Sequence, residues 1–78
     1  MQEFSPIQKK FLQMILYGRP FEECVAGLEK LISDGLRDPD INTNGALDHL
    51  QTKVEEMGRL QKEHFLTGLF LEWGWSID

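Results

Sequence analysis

The sequence has 78 residues, of which 41% are hydrophobic and 27% are charged, and its formal net charge is −5. That length is enough for one domain with a small core, and the composition is that of a folded globular protein rather than a disordered or fibrous one. The acidic balance argues against a general nucleic-acid binder, because affinity for phosphates needs a clustered basic surface.

The first predicted helix spans about residues 5–17. Ser5 and Gln8 have the spacing of a capping box, and Pro6 suits the first helical position. Gly18 predicts a left-handed stop at the end of this helix. The predicted core stripe consists of Ile7, Phe11, Met14 and Ile15, which recur at three-to-four spacing.

The second predicted helix spans about residues 20–35 and has the most regular apolar pattern in the chain. Pro20 opens it, and Gly35 is placed for a left-handed cap at its end. Its predicted core face consists of Phe21, Cys24, Val25, Leu28, Leu31 and Ile32. Three glutamates outside that face, which we predict to form an acidic rim toward a basic partner, are Glu22, Glu23 and Glu29.

A loop rich in turn-forming residues separates the second helix from the third. Twelve of its residues, from Asp40 to Gln51, carry oxygen donors at alternating positions with Gly45 at the sixth, and this stretch resembles the calcium-binding loop of the EF-hand family. The resemblance implies a ligand set of Asp40, Asn42, Asn44, Ala46 through its carbonyl, Asp48 and Gln51. Because Gln51 stands where the family has a bidentate glutamate, any such site would bind weakly, and our expectation is no metal. The alternative is a plain turn in which Thr43 or Asn44 caps the third helix.

The third predicted helix spans about residues 45–73, a stretch without proline in which apolar residues recur at helical spacing. A helix of this length usually indicates a coiled-coil-like hairpin or contains a hidden break. Gly58 is the weakest point, because an interior glycine costs about 1 kcal/mol relative to alanine, and the sequence leaves open whether the helix continues through it. No segment shows a clear strand alternation, although residues 69–75 are ambiguous. We therefore predict one all-α domain over residues 1–78, a small three-helix fold in which a helical hairpin packs on a long C-terminal helix, with a dimeric helical bundle as an alternative assembly.

The C-terminal segment provides the main functional lead. Its predicted core face consists of Phe65, Leu66, Leu69, Phe70 and Trp73. Leu71 and Trp75 fall on the opposite side if the helix continues that far, and a second apolar face with a tryptophan is typical of a partner surface or a dimer seam. Alternatively, Gly74 ends the helix and Trp75 folds back onto the core. The predicted interface consists of Phe70, Leu71, Trp73 and Trp75.

The sequence predicts no catalytic site. His49 and His64 would lie roughly 22 Å apart along one helix, which is too far for a shared site within one chain. Cys24 falls on the predicted core face, where a free cysteine behaves as a small hydrophobe. The sequence contains neither a phosphate-binding glycine loop nor a nucleophile elbow. We expect a protein that is not an enzyme and that uses no cofactor and no small-molecule substrate.

We expect a cytoplasmic protein, because the single Cys24 fits a reducing compartment and the N-terminus lacks the apolar stretch of a secretory signal. Our hypothesis is a small acidic interaction module of the inhibitor, immunity, antiactivator or chaperone/adaptor type, which docks on a protein partner through its aromatic C-terminal face. The alternatives are a structural homodimer and an EF-hand-like, calcium-responsive helix pair. We expect no membrane partner, since the apolar stretches are shorter than the ~20 residues that span a bilayer. We expect no nucleic-acid partner, because the chain has an acidic charge balance.

Overall fold

The computed structural model describes residues 4–41 and 47–77. The chain forms four helices in these residues, namely α1 (Pro6–Leu16), α2 (Phe21–Leu36), α3 (Asp48–Glu55) and α4 (Arg59–Trp73). The described residues contain no strand, which confirms the predicted all-α class. None of the helices seen in these two ranges is both long enough and apolar enough to cross a membrane.

The start of α1 is fixed by two reciprocal hydrogen bonds between side chain and backbone. The Gln8 backbone N–H donates to Ser5 Oγ at 3.3 Å, and the Ser5 N–H donates to Gln8 Oε1 at 2.9 Å. This is the predicted capping box, with Pro6 at the first helical position. Gly18 follows the end of α1 with a left-handed φ of +79°, which confirms the predicted stop.

The buried face of α1 differs from the predicted one. The prediction is correct for Phe11, which is buried, and for Ile15, which packs partly against the core, but it is wrong for Ile7 and Met14, which are each 55% exposed. The residues that α1 buries are Gln8, Phe11, Leu12 and Leu16. Apolar residues surround most of this helix, so the periodicity alone does not select a face, and packing against α2 decides which side is buried.

α2 lies at the centre of the fold and contacts the other three helices. It buries the predicted face, with Cys24, Val25, Leu28 and Ile32 in the core and Phe21 and Leu31 packed partly against it. The core of the described residues also includes Leu47, Leu50 and Val54 around α3 and Leu66, Leu69 and Phe70 of α4. One apolar core therefore joins all four helices.

Gly35 does not cap α2, contrary to the prediction, because the helix continues through it to Leu36. A Cβ atom at Gly35 would lie 2.7 Å from Phe11 Cζ and 3.2 Å from Ile15 Cγ2. Both distances are shorter than a normal van der Waals contact. The reason for glycine at this position is therefore the close approach of α1 to α2 and not a left-handed turn.

The third predicted helix is two helices. α3 ends at Glu55, and α4 begins at Arg59 with Gly58 as an extended N-cap residue (φ −76°, ψ 173°). The Gly58 N–H donates to Gln61 Oε1 at 3.2 Å, so the backbone donor at the break is satisfied. The sequence left the continuity of this stretch through Gly58 open, and the structure shows a break there, at the position that the sequence marks as the weakest point.

Candidate functional site

The chain reverses direction at the end of α4. Gly74 has a left-handed φ of +75°, and the Trp75 N–H donates to the Phe70 carbonyl oxygen at 2.8 Å. This is a Schellman-type ending, in which the residue after the glycine is bonded back to the last turn of the helix. Trp75 therefore folds back, which is the second of the two arrangements left open by the sequence, and it does not continue the helical face of Leu71.

Trp75 lies within a cluster of aromatic rings. Its ring centroid is 5.2 Å from that of Phe70, 5.9 Å from that of Tyr17 and 4.7 Å from that of Trp73. Phe70 in turn meets Phe21 edge-on at 5.2 Å. The cluster joins the end of α1, the start of α2 and the end of α4. We call its three solvent-facing members, Tyr17, Trp73 and Trp75, the aromatic cap.

The structure separates the four residues of the predicted interface. Phe70 is only 1% exposed, so it belongs to the core and supports the aromatic cap from beneath. Leu71 is 67% exposed, whereas Trp73 and Trp75 are half-buried. Tyr17, which sequence reasoning missed, is 75% exposed and extends the same surface onto α1. Tyr17 is the last residue of the predicted helix, but it was not part of the predicted apolar stripe, and the structure ends α1 one residue before it.

Two glutamates of the predicted acidic rim are paired within the molecule. The Arg59 guanidinium donates to Glu22, and Lys62 Nζ donates to Glu29 Oε1 at 2.7 Å. Both pairs join α2 to α4, so these carboxylates face a helix interface of the protein itself. Glu23 is exposed and forms no ion pair within the described part of the chain. Of the three rim residues, only Glu23 therefore remains exposed without an ion pair among the described residues.

The Arg59 guanidinium has a second carboxylate partner, since Nε lies 3.2 Å from Glu63 Oε1 on the next turn of α4. The hydrogen bond with Glu22 is the main cause that raises the pKa of Arg59 above its usual value, and the contact with Glu63 adds to it. Arg59 remains positively charged at any physiological pH. This residue therefore helps to fix the start of α4 against α2.

A groove of about 420 Å³ lies on the other side of Tyr17, between the end of α1 and the C-terminal half of α2. Its apolar lining comes from Met14, Ile15, Tyr17, Leu31 and Ile41. Asp34 and Asp38 add two carboxylates to the lining, and Arg19 adds a guanidinium. The apolar pattern of the sequence did not indicate this groove, because Met14 was predicted to lie in the core and is instead exposed at its lining.

The predicted calcium loop can be followed only in part. Asn42, Asn44 and Ala46 lie outside the described residues, as does the side chain of Asp48. Asp40 occupies a turn in which its N–H donates to Asp38 Oδ1 at 2.9 Å, and Gln51 lies within α3. In the ranges 4–41 and 47–77, no group of three or more His, Cys, Asp or Glu side chains is placed to hold a metal ion. The prediction of no metal and the EF-hand-like alternative both stay predictions for this loop.

Cys24 lies on the core face, as the sequence predicts, whereas His49 lies on α3 and His64 on α4 and not on one helix. His49 and His64 are exposed, and Cys24 is fully buried. The Cys24 thiol lies 3.9 Å from the carbonyl oxygen of Leu16 and 3.8 Å from that of Arg19. Burial raises the pKa of the Cys24 thiol, with a smaller opposing effect from the charge of Arg19. The thiol is therefore protonated at neutral pH and is a poor nucleophile in the folded protein.

No protein-family model matches this chain, and neither the curated proteins nor the solved structures contain a match to it. The aromatic cap and the groove are neighbouring features of the surface, and Tyr17 belongs to both.

Proposed function

We propose that this protein is a non-enzymatic interaction module and that the aromatic cap, together with Leu71, is the surface that contacts a protein partner. The observation that carries the proposal is the exposure of large apolar side chains at one end of the molecule, 75% for Tyr17 and 67% for Leu71, next to two half-buried tryptophans. Tryptophan and tyrosine are enriched among the residues that contribute most to binding energy.

The aromatic cap is held in position by the core beneath it. Trp75 packs on Phe70, and Phe70 is fixed in turn by its edge-on contact with Phe21. The backbone hydrogen bond from Trp75 to Phe70 restricts the segment further. A surface that is ordered before binding loses less conformational entropy on association, so this arrangement favours recognition of a partner.

The negative net charge supports a basic partner, but fewer of the predicted rim glutamates are available to it than the sequence suggests. Glu22 and Glu29 are engaged with Arg59 and Lys62, so their contribution to the attraction of a cationic surface is largely offset. The net charge of −5 still produces a negative field around the molecule. Such a field raises the association rate with a basic protein more than it raises the final affinity. The unpaired, buried Cys24 supports a reducing compartment, such as the cytoplasm, as the place of action.

Site-specific photo-crosslinking tests this proposal. A benzophenone amino acid is placed at Leu71 and, as the matched control, at Leu60, which lies on the same helix and is 65% exposed. The two positions are about 16 Å apart along α4. We expect a discrete product from position 71 after irradiation in native lysate, no product from position 60, and loss of the product when Trp75→Ala is added.

The same experiment on the purified protein tests self-association. A product with twice the chain mass from position 71 would identify a second copy of the chain as the partner, which is the homodimer alternative. Circular dichroism of every variant checks that the helices are retained. Equal products from positions 71 and 60, or no product from position 71, would contradict the proposed surface.

A further inference from the structure

We propose that the groove between α1 and α2 binds a segment of the partner protein that carries apolar side chains flanked by lysine or arginine. This inference rests on the proposed function, since it assumes an interaction module, and it adds the chemistry of the partner. Tyr17 belongs to both the groove and the aromatic cap, so one partner can contact both surfaces.

The apolar lining of the groove is open to solvent. Met14 is 55% exposed and Tyr17 is 75% exposed, while Ile15 and Leu31 pack partly against the core behind them. Covering these side chains with apolar groups of a partner removes hydrophobic surface from water. Methionine has an unbranched, flexible side chain, so Met14 can adapt to more than one apolar shape.

The carboxylates of the groove determine the charge of the partner. Asp34 lies in the last turn of α2, where the helix dipole disfavours a negative charge, and no basic residue occupies that turn. Within the described residues Asp34 forms no ion pair. A lysine or arginine from a partner would offset the repulsion between Asp34 and the helix end, and it would form an ion pair with the Asp34 carboxylate. Charge complementarity therefore favours a basic segment.

Asp38 adds a second carboxylate in a fixed position. Its Oδ1 accepts the Asp40 N–H at 2.9 Å, and its carbonyl oxygen accepts the Ile41 N–H at 3.0 Å. This turn holds Ile41 at the groove beside the carboxylate. Arg19 contributes one positive charge, and its Nε donates to the Ile15 carbonyl oxygen at 3.2 Å. The described lining thus has an excess of negative charge, which disfavours nucleic acid and anionic lipid as occupants.

Selection from a library of random displayed peptides tests this inference on the full chain. We expect the enriched peptides to combine apolar residues at helical or alternating spacing with several lysines or arginines. Synthetic copies of the enriched peptides are then titrated against the intact protein and its variants. Their affinity should fall as the salt concentration rises, because exposed charge pairs are screened.

Two matched pairs of variants separate groove binding from general attraction to an acidic protein. Met14→Ser is compared with Ile7→Ser, because both side chains lie on α1 and both are 55% exposed. The double change Asp34→Asn/Asp38→Asn is compared with Glu23→Gln/Glu55→Gln, which removes the same charge from exposed sites outside the groove lining. We expect the groove variant of each pair to weaken binding roughly tenfold, or about 1.4 kcal/mol, and its control to weaken it less than about twofold.

The outcomes distinguish this inference from the proposed function. Enrichment of acidic or neutral peptides, an equal loss in a groove variant and its control, or no enrichment at all would overturn the groove inference. Peptides that keep their affinity for Met14→Ser but lose it for Leu71→Asp would also overturn it, while leaving the aromatic cap as the binding surface. If no crosslink forms at position 71 but the peptides still bind in a groove-dependent way, only the proposal that the aromatic cap contacts the partner is overturned.

Discussion

Replacement of Gly35 with alanine should destabilise the protein, although alanine has the higher helix propensity. In an open helix interior the change from glycine to alanine stabilises by about 0.5–1 kcal/mol. At Gly35 the new methyl group would lie 2.7 Å from Phe11 Cζ and 2.8 Å from Phe11 Cε1. Phe11 is 3% exposed, so its ring has no solvent-filled space to enter. Overpacking of a core costs about 1–3 kcal/mol, so the middle of these two ranges leaves a net loss of about 1 kcal/mol.

Gly27 provides the matched control for this prediction, because it lies in the same helix. A Cβ atom there would meet Leu31 Cδ1 at 3.9 Å, which is an ordinary contact. Gly27→Ala should therefore stabilise by about 0.5–1 kcal/mol. Urea unfolding followed by circular dichroism measures both changes, and thermal midpoints should move in opposite directions by about 4–8 °C per kcal/mol.

The combination of Gly35→Ala with Phe11→Leu sharpens the test. Leucine lacks the ring atoms that the new methyl would meet, so the double variant should lose less stability than the sum of the two single changes. If Gly35→Ala proved as stable as the parent while Gly27→Ala gained stability, α1 would be able to move away from α2 without loss. That result would refute our explanation of this glycine.

Four further predictions follow from local features. Ser5→Ala should lower the free energy of unfolding by about 1 kcal/mol through loss of the α1 cap, and an unchanged urea midpoint would contradict this. Gly74→Ala should lower it by about 1–2 kcal/mol because of the left-handed φ of +75°, as thermal unfolding would show. A double-mutant cycle on Lys62 and Glu29 should give a coupling energy of about 0.5–1 kcal/mol that decreases as the salt concentration rises. Zero coupling would show that the two charges are close together but do not stabilise the fold. Finally, the raised pKa of the Cys24 thiol means that its contribution to stability is complete below the usual pKa of 9.0 and is lost as the pH rises through the higher folded value. The alkaline decline in the free energy of unfolding should therefore be shallower in Cys24→Ala, and parallel declines would argue against it.

Local signals in the sequence were sufficient to predict the start of α1 and the core face of α2. Ser5 and Gln8 satisfy each other across three residues, and the α2 pattern repeats with the helical period. The phase of α1 could not be predicted in this way. Ile7, Leu12 and Met14 are all apolar, and only the packing of α1 against α2 decides that Leu12 is buried and the other two are exposed.

The remaining differences come from contacts between residues that are distant in sequence. A glycine near a helix end commonly marks a left-handed cap, but the space beside Gly35 is occupied by Phe11 from another helix. Trp75 had two sequence-compatible positions, and the backbone at Gly74 selects the folded one. Tyr17 joins the candidate site through its ring contact with Trp75, which no local pattern predicts.

The position of α4 in the chain has a consequence for biosynthesis. This helix supplies the core residues Leu66, Leu69 and Phe70, and it covers α2, which is made much earlier. Ribosomes add about 5–20 residues per second, so the 34 residues that separate Leu36 from Phe70 take roughly 2–7 s to translate. During this interval α4 cannot yet cover its part of α2, because the residues that do so have not been made. The part of the core between α2 and α4 can therefore be completed only after the other three helices have been made.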